Sequence, residues 1–159
     1  MKNYSDQEKT LKYVYAETTG IESETVKPIS AYVTVDYALP TCPINREEML
    51  RFIYSLVLGK GPQIQQNPVC YECARRGFEC LLQKGEICLG PITQGGCGAI
   101  CLKSKQTCFG CRGLLKKPQV KNWLNLLKSR GVNQREINKV LQVYGVKEFL
   151  PKELTDESK

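Results

Sequence analysis

The stretch VCYECARRGFECLLQKGEICLGPITQGGCGAICLKSKQTCFGCRG, residues 69–113, carries eight of the chain's nine cysteines. Their order is Cys70-x2-Cys73-x6-Cys80-x7-Cys88, then eight other residues, then Cys97-x3-Cys101-x6-Cys108-x2-Cys111. Each half holds one CxxC pair and two more distant cysteines, so the eight divide into two sets of four without remainder. A cubane iron–sulfur cluster requires four thiolates around a core wider than a single ion, and one tight CxxC plus ligands from separate loops meets that geometry. The chain has no histidine, so a metal site would be ligated by thiolates alone or with oxygen donors; all-sulfur sites select iron–sulfur clusters or zinc. Zinc sites need the same ligand count, but zinc ribbons usually place two CxxC pairs in each site. Here each set has one, and Leu81, Leu82, Ile87, Leu89, Ile100 and Phe109 lie between ligands. An apolar surround suits a cluster shielded from water. A non-redox interaction module with two four-cysteine zinc sites stands as the alternative. Disulfides fit poorly, because an odd count leaves one thiol over and a cytoplasmic chain keeps its thiols reduced.

Outward from this stretch the character of the sequence changes. Residues 63–117 are poor in apolar side chains and rich in glycine and cysteine. Such a segment buries too little to offset the entropy of ordering it, and metal binding is expected to supply the missing cohesion. On the N-terminal side, Tyr13-Val14-Tyr15-Ala16 reads as a short strand and Thr18 to Lys27 as an exposed loop. In Ala31-Tyr32-Val33-Thr34-Val35-Asp36-Tyr37 the apolar and polar residues alternate, which predicts a strand ending before Pro40. Asn45 and Glu48 form a capping-box pattern ahead of Met49, Phe52, Ile53, Leu56 and Val57, whose spacing predicts a helix with one buried face, stopped by Gly59 and Gly61-Pro62. On the C-terminal side, Val120, Trp123, Leu124 and Leu127 make one apolar helical stripe closed by Gly131. Asn133 and Glu136 cap a second helix carrying Ile137, Val140, Leu141 and Tyr144, and Pro151 to Lys159 reads as a frayed, charged end. The expected fold class is a small α/irregular chain dominated by metal clusters. It divides into residues 1–62, a strand plus helix; 63–117, a loop-rich double-cluster domain; and 118–159, a helical hairpin tail.

Charge and composition narrow the function. The formal charge is +7, but two [4Fe–4S] clusters on thiolates carry about −2 each and would bring it to roughly +3. Lysine and arginine form no stripe interleaved with aromatics, so nucleic-acid binding is not expected. No run approaches the apolar length of a membrane helix, and MKNYSDQEKT lacks the apolar core of a signal peptide. A cytoplasmic location without membrane insertion is the natural reading.

Val69-Cys70-Tyr71-Glu72-Cys73-Ala74-Arg75-Arg76-Gly77, Cys80-Leu81-Leu82, Cys88-Leu89-Gly90-Pro91-Ile92-Thr93, Gly96-Cys97-Gly98-Ala99-Ile100-Cys101 and Cys108-Phe109-Gly110-Cys111-Arg112-Gly113 resemble the C-terminal half of small subunits of [NiFe] hydrogenases. The resemblance is to the cytoplasmic group that includes sulfhydrogenase delta subunits and gamma subunits of deazaflavin- or viologen-reducing hydrogenases. Val35-Asp36-Tyr37-Ala38-Leu39-Pro40-Thr41-Cys42-Pro43 is similar to the same family. It implies an electron relay in which Cys70, Cys73, Cys80 and Cys88 hold a distal [4Fe–4S] cluster and Cys97, Cys101, Cys108 and Cys111 a medial one. Cys101 would supply the ligand that some relatives replace by proline.

The family's flavodoxin-like N-terminal lobe, with three of the four proximal-cluster cysteines, has no counterpart here. Cys42 matches the fourth, although Thr41 and Ile44 stand where the family has glycine and a second proline. The strand and helix of residues 1–62 then read as a remnant of that lobe. Three readings stay open: a split subunit whose missing lobe and proximal ligands come from another polypeptide, so that Cys42 shares a third cluster; a two-cluster adaptor; or a product of gene decay. The implied partners are a hydrogenase-like large subunit, a chain supplying the lobe, and an electron-accepting flavin or iron–sulfur subunit. Catalysis by this chain itself is not expected, since it has no imidazole base and no paired acids, and Gly95-Gly96 is not followed by a phosphate-loop lysine. Glu47, Glu48, Glu72 and Glu79 read as cap or surface carboxylates and Trp123 as helical core. Arg75-Arg76 reads as a solvated pair, a partner for the distal cluster or a docking contact.

Overall fold

A computed structural model of the chain describes residues 7–21, 27 and 29–151. It divides into two compact units, Met1–Ala38 and Leu39–Lys159. In the first unit, helix α1 spans Gln7–Val14 and a single 3₁₀ turn spans Ile29–Ala31. Neither strand expected in this part of the chain forms among the described residues. Tyr13 and Val14 end α1, which is built on good helix formers and on a Lys12–Glu8 pair one turn apart at 2.7 Å. Val33, Val35 and Tyr37 alternate as a strand would, but they are 55%, 43% and 55% exposed, in an irregular segment. The described residues of the unit offer no second strand, and a lone one leaves its ladder hydrogen bonds unmade. The loop expected over Thr18 to Lys27 lies partly outside the described residues.

The second unit opens with α2, Arg46–Val57, started by Asn45, whose Oδ1 accepts from the Glu47 and Glu48 amides at 3.0 and 3.1 Å. The apolar face expected to be buried is only partly covered: Ile53 is 48% and Val57 78% exposed, and no α2 residue is fully buried. The cysteine segment contains α3, Val69–Arg75, a 3₁₀ turn at Leu81–Lys84 and the single turn α4, Ile100–Lys103. Isolated bridges Pro68–Gln94 and Thr93–Leu114 are its extended pairing. Backbone bonds Val69 N to Thr93 O, Leu89 N to Cys108 O and Leu115 N to Ile92 O, each 3.0 Å, stitch its loops to one another.

Helices α5, Val120–Ser129, and α6, Gln134–Gln142, followed by a 3₁₀ turn at Val146–Phe149, close over these loops. The domain division at residue 117 is therefore not visible in the packing. Val120, Trp123, Leu124, Leu127, Ile137, Leu141, Val146 and Leu150 share one core with Val69, Leu81, Leu82, Leu89, Ile92 and Leu102. Trp123 Nε1 donates to the carbonyl of Cys88 at 2.9 Å. The cysteine segment is short of apolar residues by itself, as its composition implies, but the tail lends it the missing half of a hydrophobic interior. Each fully buried leucine or isoleucine contributes about 1.5–3 kcal/mol. The end beyond Pro151, expected to be frayed, lies outside the described residues.

Candidate metal centres

Cys70 and Cys73 sit on α3, Cys80 enters the first 3₁₀ turn of the cysteine segment and Cys88 lies in the following loop. The four line one cavity with Val69, Leu81, Leu82, Gly90 and Leu102, about 270 Å3 of unfilled space counting the part open to solvent. Cys97, Cys101, Cys108 and Cys111 line a second of about 450 Å3, walled by Ile100, Leu102 and Phe109. Cys42 lines this second cavity too; its carbonyl accepts from Cys111 Sγ at 3.3 Å, and Tyr144 hydrogen-bonds its side chain. Among the described residues no three histidine, cysteine, aspartate or glutamate side chains come close enough to hold a single metal ion.

Burial governs the electrostatics of both sets. It pushes the Cys70 thiol up to about 12, with Cys88, Cys80 and Cys73 adding to the rise. Cys108 is likewise pushed up to about 12 by burial, against hydrogen bonds from the Gly110 amide and the Thr93 hydroxyl. Cys111 rises to about 11 through burial and then the neighbouring Cys42, Cys97 and Cys101. Cys97 is also raised by burial, opposed by hydrogen bonds from the backbone amides of Ala99 and Ile100. Ala99 holds φ 51, a left-handed conformation unusual for a residue with a side chain, and it is this bend that begins α4 beside Cys97.

Thiols that stay protonated in the folded chain and ionise more readily when it unfolds stabilise the fold below the unfolded value of about 9.0, and that contribution is lost as pH rises through 11 to 12. The metal-free protein is therefore expected to lose stability between about pH 8.5 and about pH 10.5, which denaturant titration under reducing conditions at the two values will measure.

The residues fit an iron–sulfur group in donor chemistry: each cavity offers four thiols among apolar walls, with no imidazole competing. They also fit it sterically at Gly90, where a Cβ would lie 3.2 Å from Cys70 Sγ and 3.4 Å from Cys88 Sγ. A side chain there would force the sulfurs apart. Gly90→Val is expected to cost the chain about four iron atoms while leaving the other set loaded, an outcome that iron analysis per chain decides.

Two carboxylates that local sequence places at a cap or on the surface, Glu48 and Glu72, are drawn into the cysteine loops together with Arg112. Glu72 Oε1 accepts from the Gly96 amide at 2.8 Å and its Oε2 lies 3.8 Å from Cys97 Sγ, so a carboxylate on the helix of the first set steadies the loop of the second. Glu48 does not close a capping box; it takes a two-pronged salt bridge from Arg112 at 2.9 and 2.6 Å. Arg112, the residue after Cys111, has a side chain wholly removed from solvent, and its Nε donates to Gly95 O at 2.8 Å. Gly96, at φ 115, lies so close that a Cβ would fall 2.5 Å from Arg112 Nη2. The doubled glycine beside a cysteine is the one sequence signal for such an approach. Glu79, by contrast, is a surface carboxylate paired with Lys84 at 2.6 Å.

No protein-family model matches the chain. It is 44% identical over 88 residues to the sulfhydrogenase 2 subunit delta of Pyrococcus furiosus, covering 55% of this chain and 37% of that protein. Over 145 residues it is 32% identical to a vhu subunit of the F420-non-reducing hydrogenase of Methanocaldococcus jannaschii, with 72% of this chain and 50% of the relative covered. Its homologues are hydrogenase subunits. A third, 35% identical over 116 residues, is the iron-sulfur subunit of the F420-non-reducing hydrogenase of Archaeoglobus profundus, which supports iron–sulfur ligation as the chemistry of the family. The match covers 55% of this chain and 36% of that protein. The chain spans between about a third and a half of the length of these hydrogenase subunits. Among its described residues no helix is long and apolar enough to cross a membrane.

Proposed function

We propose that this chain is an electron-transfer subunit of a hydrogenase-like oxidoreductase complex, holding one [4Fe–4S] cluster on Cys70, Cys73, Cys80 and Cys88 and another on Cys97, Cys101, Cys108 and Cys111. The observation that carries this reading is the division of eight thiols, four and four, between two adjoining apolar cavities. Such clusters accept and release single electrons. The chain's own residues supply ligation, burial and hydrogen bonds to sulfur: the Gly110 amide and Thr93 hydroxyl at Cys108, the Ala99 and Ile100 amides at Cys97. These are the groups through which a protein sets a cluster's potential. Hydrogen chemistry belongs to a partner large subunit in this reading, and a flavin or iron–sulfur subunit takes the electrons onward.

Two features support a further partner chain. Cys42 is exposed at the lip of the second cavity, where three thiols from another polypeptide would complete a third cluster. The apolar face of α2 is also left largely uncovered, with Leu50, Ile53, Tyr54 and Val57 all at least 48% exposed.

Anaerobic purification followed by metal and sulfide analysis tests the reading. It expects a brown protein with broad absorption near about 400 nm and about eight irons and eight sulfides per chain. A colourless protein with about two zinc ions per chain would replace it with the zinc module.

A further inference from the structure

The basic excess of this protein is not spread over it. Residues 63–132 contain eleven lysines and arginines against three glutamates, a net +8, whereas the whole chain nets +7. Everything outside the cysteine segment and α5 therefore nets −1. Of the three glutamates, Glu72 is turned inward onto Gly96 and Glu79 is paired with Lys84. Two clusters at about −2 each would still leave this segment near +4.

The positive groups gather where the first cysteine set meets the surface. Arg75 and Arg76 end α3, the helix that carries Cys70 and Cys73, and both are exposed. With Gln65, Tyr71, Glu72 and Gly98 they line a surface hollow of about 810 Å3, counting its open side. Arg76 is laid against the backbone at Gly98, its Nη2 3.0 Å from where a Cβ would stand. No carboxylate among the described residues pairs with either guanidinium. Around Cys80, Lys84 and Lys105 both act on Glu79, and Arg130 Nη1 donates to Gln83 O at 3.0 Å.

We propose that this rim is a docking face for an acidic one-electron carrier protein, with Arg75 and Arg76 as its principal contacts. The inference rests on the cluster reading above. A cation pair held at the end of a ligand-bearing helix, without an internal counter-ion, recruits an anionic partner to the one place from which that set can be reached. Complementary charge raises the encounter rate and fixes orientation more than it raises affinity. The step itself moves one electron between the carrier and the group held by Cys70, Cys73, Cys80 and Cys88. No bond is made or broken and no proton is transferred.

Stopped-flow electron exchange of the cluster-loaded full chain with a small acidic ferredoxin, and with a basic c-type cytochrome, tests the proposal. The ferredoxin rate constant is expected to fall about tenfold or more between about 20 and about 500 mM salt, as steered associations do, while the cytochrome rate does not fall. The double variant Arg75→Glu/Arg76→Glu should keep its iron and visible spectrum yet lose at least about fivefold of the low-salt ferredoxin rate. A charge-matched control on the outer faces of α5 and α6, Lys121→Glu/Lys139→Glu, should change it less than about twofold. A salt-independent rate, or equal effects of the two double variants in fully loaded protein, overturns the docking face and leaves the cluster reading intact. Protein that binds no iron overturns the cluster reading, and the docking face with it.

Discussion

Arg112→Ala is expected to destabilise the second unit by about 3–5 kcal/mol, the cost of leaving a buried ion-pair partner uncompensated. The guanidinium is wholly buried and makes three hydrogen bonds, two to Glu48 and one to Gly95 O. Removing it strands the Glu48 carboxylate, which is only 17% exposed, against α2 and opens a void under Gly96. Arg112→Lys should recover little, because one ammonium cannot span both carboxylate oxygens and Gly95 O. The double variant Arg112→Met/Glu48→Leu should recover much of the loss, since paired apolar replacements leave no stranded charge. Denaturant unfolding of the three variants reads the ranking. Similar losses in the double and single variants would show that the pair acts through something other than its charge. Because Arg112 follows Cys111 and helps lower the Cys97 and Cys111 thiols, the alanine variant is also expected to shed iron from the second set first.

The second large effect separates the two cysteine sets. Cys73→Ala and Cys101→Ala should each lower iron from about eight to about four atoms per chain, and the double variant should hold almost none. Both positions are only partly buried, so the alanine side chains leave small voids rather than cavities in the core. Iron analysis combined with the electron paramagnetic resonance of the reduced protein distinguishes independent sets from a shared one. Loss of all iron from either single variant would mean that the cavities do not load separately. That outcome has a structural route to consider, because Cys88 acts on Cys108 and the Leu89 amide donates to Cys108 O at 3.0 Å.

The relation of Cys42 to the second set bears on how a partner would attach. Spacing along the chain puts Cys42 far from the other cysteines, 69 residues from Cys111, yet the fold brings its backbone into hydrogen-bond contact with that residue. A thiol at this lip faces both the second set and whatever covers α2. The split-subunit reading and the adaptor reading therefore differ in what stands opposite Cys42, and co-purification under anaerobic conditions addresses that directly.

The sequence alone determined what is chemically local. Eight cysteines in two quartets and the absence of histidine limit the donor set whatever the fold. Asn45 and Asn133 mark helix starts because a cap bonds amides two or three residues away. The stripes on α5 and α6 show through their helical period. Tertiary structure alone decided everything that depends on a distant partner. Val33, Val35 and Tyr37 carry strand propensity, but a strand exists only with a neighbour to pair with, and propensity contains no neighbour. Glu48 has the look of a capping-box residue because its local offer is real; the longer-range bond to Arg112, 64 residues away, takes the same side chain. Likewise the core of the cysteine loops lies half in a tail that begins after Pro118, since burial depends on which surfaces meet in space and not on which residues adjoin in sequence.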